Sequence, residues 1–233
     1  MHKSFLQNAA GRDFIVGDIH GCFSRLQAHL DQLGFDTTVD RLFSVGDLVD
    51  RGPESAQALE WLDKPWFHAV RGNHEQMAID HVAGNSDARQ YIGNGGGWFL
   101  ALTRPEQHQF ADAFGALPIA ITLDTAAGPI GIVHADCPAA TWPGLLDALK
   151  STAAEQVGML CMWSRDRTDS SFADDVAGVR AVVVGHTPMQ AWTSLGNVIY
   201  IDTGAVFPGR DFTILDAATL RPVDSKPRLD FAA

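Results

Sequence analysis

Two aspartates and an arginine lie close together in the stretch Gly46-Asp47-Leu48-Val49-Asp50-Arg51-Gly52. The stretch follows Leu42-Phe43-Ser44-Val45, an apolar run that is typical of a β-strand. Ligand sites in open α/β sheets are built at the C-terminal ends of strands. Because burying charged side chains without partners costs free energy, these residues need partners of their own. The stretch therefore predicts a site for a metal ion, a phosphate group or both.

Other apolar runs also end in polar loops, and together the loops offer a set of polar side chains. The set is Asp18, His20, Asp47, Asp50, Arg51, Asn73, His74, His134 and His186. Carboxylate, imidazole and amide ligands without thiolate suit Mn²⁺, Fe or Zn²⁺ at a catalytic site. The donors exceed what one ion with an open position needs, so we expect two ions ~3.5–4 Å apart. Asp47 lies centrally and is the candidate bridge, although any single aspartate could instead cap the following helix.

The elements that must position these side chains follow a repeated order of strand, glycine-containing loop and helix. This order predicts βαβ units and a parallel sheet in the first part of the chain. The predicted strands there are 14–16, 42–45 and 67–70, with helices over 22–33, over 53–62 and after residue 75. A loop over 84–97 and a helix over 105–114 follow. The second part is predicted to hold a hairpin (119–123 and 130–133), helical segments in 143–162, and strands 181–184, 198–201 and 212–215.

Composition restricts the class of protein. The chain has 233 residues, of which 46% are apolar and 19% charged, as expected of a globular protein with a core. The net charge of −11 argues against a nucleic-acid partner. No apolar run approaches the roughly 18 residues of a membrane span, and no secretory signal is evident, so we expect no membrane partner and a cytoplasmic location. Three widely spaced cysteines, Cys22, Cys137 and Cys161, indicate reduced thiols rather than disulfides.

Three motifs together carry a family resemblance. Gly17-Asp18-Ile19-His20-Gly21, the Gly46–Gly52 stretch and Gly72-Asn73-His74-Glu75 resemble the signature motifs of the phosphoprotein phosphatase family of metallophosphoesterases, in the same order. His134 and His186 match the two downstream histidines of that family. The resemblance spans residues 13–204 and is greatest to the compact bacterial and phage branch. It implies one calcineurin-like domain over 1–233, of α/β class bordering on α+β, with two mixed sheets packed face to face and helices outside.

The resemblance also implies a role for each site residue. One ion would be bound by Asp18, His20 and Asp47, and the second by Asp47, Asn73, His134 and His186. Arg51 and Arg165 would bind the substrate phosphate, with Arg167 as the alternative to Arg165. The two ions are expected to be Mn²⁺, with Fe, Zn²⁺ or Ni²⁺ as alternatives.

The expected reaction is direct hydrolysis without a phosphoenzyme, in which a hydroxide bridging the two ions attacks phosphorus in line. His74, oriented by Asp50, would protonate the leaving oxygen as a general acid. The first hypothesis for the substrate is phosphoserine or phosphothreonine in a protein or peptide. Symmetrical hydrolysis of diadenosine tetraphosphate is the alternative, and a non-catalytic regulatory module is a third reading. Glu75 and the His134-Ala135-Asp136 stretch favour the first hypothesis, because the dinucleotide hydrolases resemble Gly-Asn-His-Asp at the third motif. The oligomeric state is open, and a monomer is compatible with the sequence.

Overall fold

The computed structural model describes residues 1–223. The strands are β1 (His2–Phe5), β2 (Asp13–Val16), β3 (Arg41–Ser44), β4 (Phe67–Ala69), β5 (Ala120–Leu123), β6 (Ile130–Ile132), β7 (Ala181–Val184), β8 (Thr193–Leu195), β9 (Val198–Tyr200), β10 (Ile214–Asp216) and β11 (Arg221–Pro222). The helices are α1 (Phe23–Gln32), α2 (Ala58–Leu62), α3 (Asn73–Val82), α4 (Ala88–Gly93), α5 (Gly97–Leu100), α6 (Arg104–Gly115), α7 (Trp142–Ala148), α8 (Ala154–Trp163) and α9 (Asp166–Asp169). A short 3₁₀ turn, Ser55–Gln57, precedes α2.

The strands form two mixed sheets. The first has the order β11-β10-β2-β3-β4, in which β2, β3 and β4 are parallel and β10 is antiparallel to both of its neighbours. The second has the order β1-β5-β6-β7-β9-β8, in which β5–β6 and β8–β9 are antiparallel and the other pairs are parallel. The predicted parallel first half and the hairpin of the second half are therefore confirmed.

A buried apolar layer joins the two sheets. Ile15 and Phe43 of the first sheet belong to one cluster with Ile121, Ile132 and Val183 of the second. Alternate residues of each strand point to the opposite face, where they meet the helices. Apolar side chains of α1, α2, α3 and α6 cover the first sheet, and those of α7 and α8 cover the second. This layering of helices outside two packed sheets confirms the predicted sandwich.

Several local expectations were wrong. The predicted loop over 84–97 contains helix α4, whose first turn is capped by the Asp87 side chain, which accepts the Arg89 N–H at 2.9 Å. The glycine and asparagine content of this stretch concealed that helix. Strands β1 and β8 were not predicted, because their pairing with β5 and β9 rather than their own apolar content makes them strands. The closing strand begins at Ile214 instead of residue 212.

Two further expectations concern the extent of the domain and the presence of membrane-spanning helices. The predicted single domain includes residues 224–233, which lie outside the described residues. Within residues 1–223, no helix combines the length and the apolarity that crossing a membrane requires.

Candidate metal centre and active site

The loops that follow β2, β3, β4, β6 and β7 meet at one edge of the sandwich. All six residues predicted as metal ligands lie in these loops or at the start of the helix that follows one, and all are buried: Asp18, His20, Asp47, Asn73, His134 and His186. The parallel strands of both sheets end there, so each strand delivers the residues that follow it to the same place. Proximity in space thus arises from five separate parts of the chain.

Asp47 is at the centre of this group. One carboxylate oxygen lies 3.3 Å from His134 Nε2, and the other lies 3.6 Å from His20 Nε2. The first oxygen also accepts the His74 N–H at 3.0 Å, at the start of α3, where the helix dipole favours a negative charge. Donor atoms of Asp47, His134 and His186 all lie within 4.8 Å of one another. Asp47 is therefore placed to contribute to two adjacent ion sites.

Asp18 and Asn73 complete the two predicted ion sites, one residue in each. Asp18 Oδ2 lies 4.0 Å from His20 Nε2, and its two oxygens both lie 3.2 Å from the backbone nitrogen of His186. Asn73 Oδ1 lies 2.8 Å from His134 Nε2 and 2.9 Å from His186 Nδ1. The structure thus brings together every residue of both predicted ligand sets.

Two of the imidazoles are oriented by backbone carbonyls. His20 Nδ1 lies 2.8 Å from the Val49 oxygen and His134 Nδ1 lies 2.7 Å from the Val45 oxygen, so each Nδ1 carries a hydrogen and donates it. Each Nε2 then faces the acidic centre. For His134, Nε2 points at oxygens of both Asn73 and Asp47, an arrangement that calls for a cation or a second proton between them. Backbone partners of this kind are usual for histidines that bind metals.

The electrostatics of the centre also fit bound cations. Burial, together with the nearby carboxylates of Asp202 and Asp47, raises the pKa of Asp18 well above its ordinary value. Burial lowers the pKa of His20 and of His186 to about 3, which leaves both imidazoles neutral and able to bind metal. Buried carboxylates are stable at such density only with compensating charge. The donor set and its surroundings therefore fit two divalent ions.

The backbone of the centre is bent into an uncommon conformation. His20, Asp47, Asp50, Arg51 and His186 have positive φ angles of 45°, 51°, 70°, 66° and 65°. They are five of the seven non-glycine residues with positive φ between residues 1 and 223. Such strain concentrates at functional sites and persists only where surrounding structure enforces it. Close packing enforces it here, since a Cβ on Gly72 would lie 2.2 Å from Asp47 Oδ1.

The predicted acid and its partner lie beside the predicted metal ligands. His74 Nδ1 is 2.7 Å from Asp50 Oδ2, and Asp50 is fully buried. The indole N–H of Trp98, which the sequence did not point to, donates to Asp50 Oδ1 at 2.7 Å. His74 Nε2 lies 3.8 Å from Asp47 Oδ2, and a donor atom of His74 is within 4.8 Å of those of His20 and Asp47. His74 is thus close to one ion site as well as to Asp50.

The two candidate arginines of the second half have different surroundings. Arg167 is buried, donates from Nε to Asp136 at 3.0 Å and from Nη1 to the carbonyls of Phe172 and Asp174. Arg165 is exposed and near His186, where its charge adds to the effect of burial on the histidine pKa. Arg51 is exposed too, and its guanidinium contacts His20 Nε2. Arg51 and Arg165 therefore remain available to a substrate phosphate.

Glu75, which helped to choose between the substrate hypotheses, binds backbone groups of two motifs. It is fully buried, and its carboxylate accepts the backbone N–H groups of Asp47, Leu48 and Gly72 at 2.8–3.0 Å. The spacing of a capping box, with Glu at the third position of α3, is the sequence signal for the bond to the Gly72 N–H, whereas the bonds to Asp47 and Leu48 have no local signal. Glu75 therefore ties the second motif to the third beneath the site.

The cysteines are packed thiols. Burial raises the pKa of Cys137 to about 11 and also raises that of Cys22. All three cysteines are buried and free. Thiolates are the nucleophilic form, so none is suited to act as a nucleophile.

Comparison with known proteins identifies the class that this fold and site define. The sequence profile of the calcineurin-like phosphoesterase family matches residues 14–201, and the chain belongs to that family. It is 41% identical over 200 residues to serine/threonine-protein phosphatase 1 of Salmonella typhimurium, an alignment that covers 84% of this chain and 88% of that protein. The similarity to the bacterial branch of the phosphoprotein phosphatases is therefore confirmed.

Other similarities are more distant. The chain is 28% identical over 197 residues to the symmetrical bis(5'-nucleosyl)-tetraphosphatase of Aromatoleum aromaticum, covering 79% of this chain and 69% of that protein. The structure of a cold-active protein-tyrosine phosphatase from a Shewanella species superposes with a TM-score of 0.61 at 17% identity, covering 93% of this chain and 78% of that one. At that identity the superposition supports the fold alone.

Proposed function

We propose that the chain is a metal-dependent phosphatase that hydrolyses phosphoserine and phosphothreonine in proteins or peptides. One observation carries the proposal: two groups of side chains that could hold a metal ion share Asp47, and His74, a member of one group, pairs with Asp50. The exposed guanidiniums of Arg51 and Arg165 border the same centre. A site of this kind can hold a phosphate ester, activate water and protonate a leaving group.

The metal ligands of the proposal are those predicted from the sequence. Asp18, His20 and Asp47 would bind one ion, and Asp47, Asn73, His134 and His186 the other. Two divalent ions bound there would activate a water molecule as the nucleophile and neutralise charge on the phosphoryl oxygens. Mn²⁺ is the ion we propose first, because oxygen and imidazole donors suit it and no thiolate is present.

Residues of the chain supply the rest of the mechanism. Arg51 and Arg165 would hold phosphoryl oxygens with charge-assisted hydrogen bonds, which keep the ester oriented while charge builds up on it. As the bond from phosphorus to the leaving oxygen breaks, His74 Nε2 would give its proton to that oxygen. Asp50 accepts the hydrogen of His74 Nδ1, so it holds the imidazole with Nε2 free to act as the acid.

The surface beside the site favours a polypeptide substrate over a dinucleotide. A cavity of about 530 Å³ is lined by Asp136, two residues after His134, and by Ser164 and Asp166, which flank Arg165 in sequence. Asp174 and Asp175 also line it, and the one cation in the lining, Arg167, pairs with Asp136. Such an excess of acidic groups repels the additional phosphates of a dinucleoside tetraphosphate but not a neutral or basic polypeptide. The greater similarity to a serine/threonine-protein phosphatase supports the same choice.

A direct competition of substrates tests the proposal. Purified protein with Mn²⁺ is given a phosphoserine peptide and diadenosine tetraphosphate in parallel, with chelator-treated and metal-reloaded protein as the control. We expect faster release of phosphate from the peptide, lost on chelation and restored by metal. Faster turnover of the dinucleotide would replace the proposed substrate class, and no hydrolysis of any phosphomonoester by metal-loaded protein would support the regulatory reading. The single domain over 1–233 and the cytoplasmic location stay predictions, and the oligomeric state stays open.

A further inference from the structure

The segment from α4 to α5 reaches under the candidate active site and contacts Asp50. The Trp98 indole N–H donates to Asp50 Oδ1 at 2.7 Å, while Asp50 Oδ2 accepts from His74 Nδ1 at the same distance. We propose that Trp98 is a positioning residue, which acts on catalysis by fixing the Asp50 carboxylate that orients His74. The inference rests on the proposed function, because it needs His74 to be the general acid.

The carboxylate of Asp50 has one short hydrogen bond at each oxygen, from Trp98 at Oδ1 and from His74 at Oδ2, and this explains how Trp98 acts at a distance. A carboxylate held at one oxygen can still rotate about the bond to Cβ. With both oxygens bonded, its plane is fixed, and with it the direction of the His74 ring. Proton transfer requires hydrogen-bond distance to the leaving oxygen, so a rotated ring transfers its proton less efficiently. Trp98 thus contributes to catalysis without touching the substrate.

The indole itself is held in place by its neighbours. Its ring packs edge to face against Phe110, with centroids 5.1 Å apart, and against Phe99 at 5.6 Å. Gly95 brings the segment directly onto the catalytic loop: its φ is +101°, and a Cβ there would lie 2.4 Å from the backbone nitrogen of Arg51. The donor is therefore rigid before any substrate binds, which is what a positioning group requires.

Tyr91 offers a matched control within the same segment. Its hydroxyl is 3.5 Å from the same Oδ1 of Asp50, at the outer limit of a hydrogen bond. Tyr91→Phe removes only a hydroxyl, whereas Trp98→Phe removes the indole N–H and also shortens the ring system. Tyr91→Phe therefore controls for loss of the long contact to Asp50, and 3-benzothienylalanine at position 98, which keeps the bicyclic ring, controls for the altered packing.

The experiment compares two esters that differ in their need for an acid. In a phosphoserine peptide the leaving group is the serine oxygen, which is a poor leaving group as an alkoxide and needs a proton. In 4-nitrophenyl phosphate the leaving group is a stable phenolate, which does not. We expect Trp98→Phe to lower kcat for the peptide about tenfold, part of the ~10²–10⁴-fold that a general acid supplies. For 4-nitrophenyl phosphate we expect less than about a threefold loss, with KM unchanged for both esters. Tyr91→Phe should resemble the wild type.

A double mutant and an indole analogue test whether Trp98 acts through Asp50. In an Asp50→Asn background, Trp98→Phe should have little additional effect, because residues that act through one another are not additive. Equal losses on both esters, a full additional loss in that background, or no loss at all would overturn the inference. If Trp98→Phe fails to fold, 3-benzothienylalanine at position 98 replaces only the ring N–H and gives the same comparison. A wild type without activity on either ester overturns the proposed function itself, and the inference falls with it.

Discussion

Two aspartates three residues apart, Asp47 and Asp50, serve two neighbouring regions of the molecule. The predicted metal ligands Asp18, His20, Asp47, Asn73, His134 and His186 form what we call the metal-ligand cluster. Asp50, His74 and Trp98 form the proposed acid relay. Positive φ angles at both aspartates turn their side chains to these different partners from one short loop. Closely spaced charged residues can thus have separate chemical roles when the backbone between them is bent sharply.

The two regions also differ in how the fold builds them. Each ligand of the cluster follows the end of a strand or begins the helix after one, so the sandwich alone is enough to assemble it. The acid relay needs an additional element, because the indole that completes it comes from α5. We expect the cluster to respond to mutation by losing metal and the relay by losing turnover with metal retained. The predictions below test this difference.

The largest effect is expected at Asp47, which both ion sites share. Asp47→Asn should reduce turnover by more than the ~10²–10⁴-fold that a general acid contributes, and should release both ions, as measured by elemental analysis. Asp40→Asn is the matched control, since Asp40 is also buried but pairs with Arg12 and precedes β3, whereas Asp47 follows the same strand. Full metal content in Asp47→Asn would contradict its place at the centre of the cluster.

A large loss without metal release is expected at His74. His74→Asn should reduce kcat by ~10²–10⁴-fold, because the leaving oxygen then departs unprotonated. Elemental analysis should still find two ions per chain. Loss of an ion would mean that His74 belongs to the metal-ligand cluster. The variant tests the division between cluster and relay directly, because His74 Nε2 lies only 3.8 Å from Asp47 Oδ2.

A smaller effect is expected at the arginines near the border of the cluster. Arg165→Ala should lower kcat/KM by ~10–100-fold with little change in stability, the size expected for a charge-assisted hydrogen bond of ~1.5–3 kcal/mol. Arg167→Ala should instead lower the free energy of unfolding by ~3–5 kcal/mol, because it leaves the buried Asp136 unpaired. Urea unfolding and steady-state kinetics measure the two effects. Reversed results would assign the phosphate to Arg167.

The smallest effect on chemistry is expected at Glu75. Glu75→Asp shortens the side chain that accepts three backbone N–H groups, so stability should fall by ~1–3 kcal/mol for each donor left unsatisfied. The preference for phosphopeptide over dinucleotide should not change, because Glu75 is fully buried beneath the site. A switch in favour of diadenosine tetraphosphate in the paired assay would show that this residue does govern substrate choice.

Much of the site was predictable because each of its motifs is a short segment that directly follows a strand. Asp18, Asp47 and Asn73 each follow a run of strand character and a glycine, and parallel strands place such residues together. Arg165 and Arg167 could not be separated in this way. Both follow the same helix, and only the position of Asp136, on a distant strand end, makes one a buried partner and leaves the other exposed.

The sequence by itself determined the donor types, their order and the strands that present them, since motifs and periodicity are properties of short segments. Tertiary structure alone decided which residues outside the predicted set form hydrogen bonds to the site residues and their backbone. Glu75 contacts backbone groups 27 and 28 residues away, and Trp98 reaches Asp50 from 48 residues along the chain. Contacts at such separations depend on how helices pack onto the sheets, and composition gives no signal for them. The indole that completes the proposed acid relay for this reason comes from the residue directly after a glycine-rich stretch that looked like a loop.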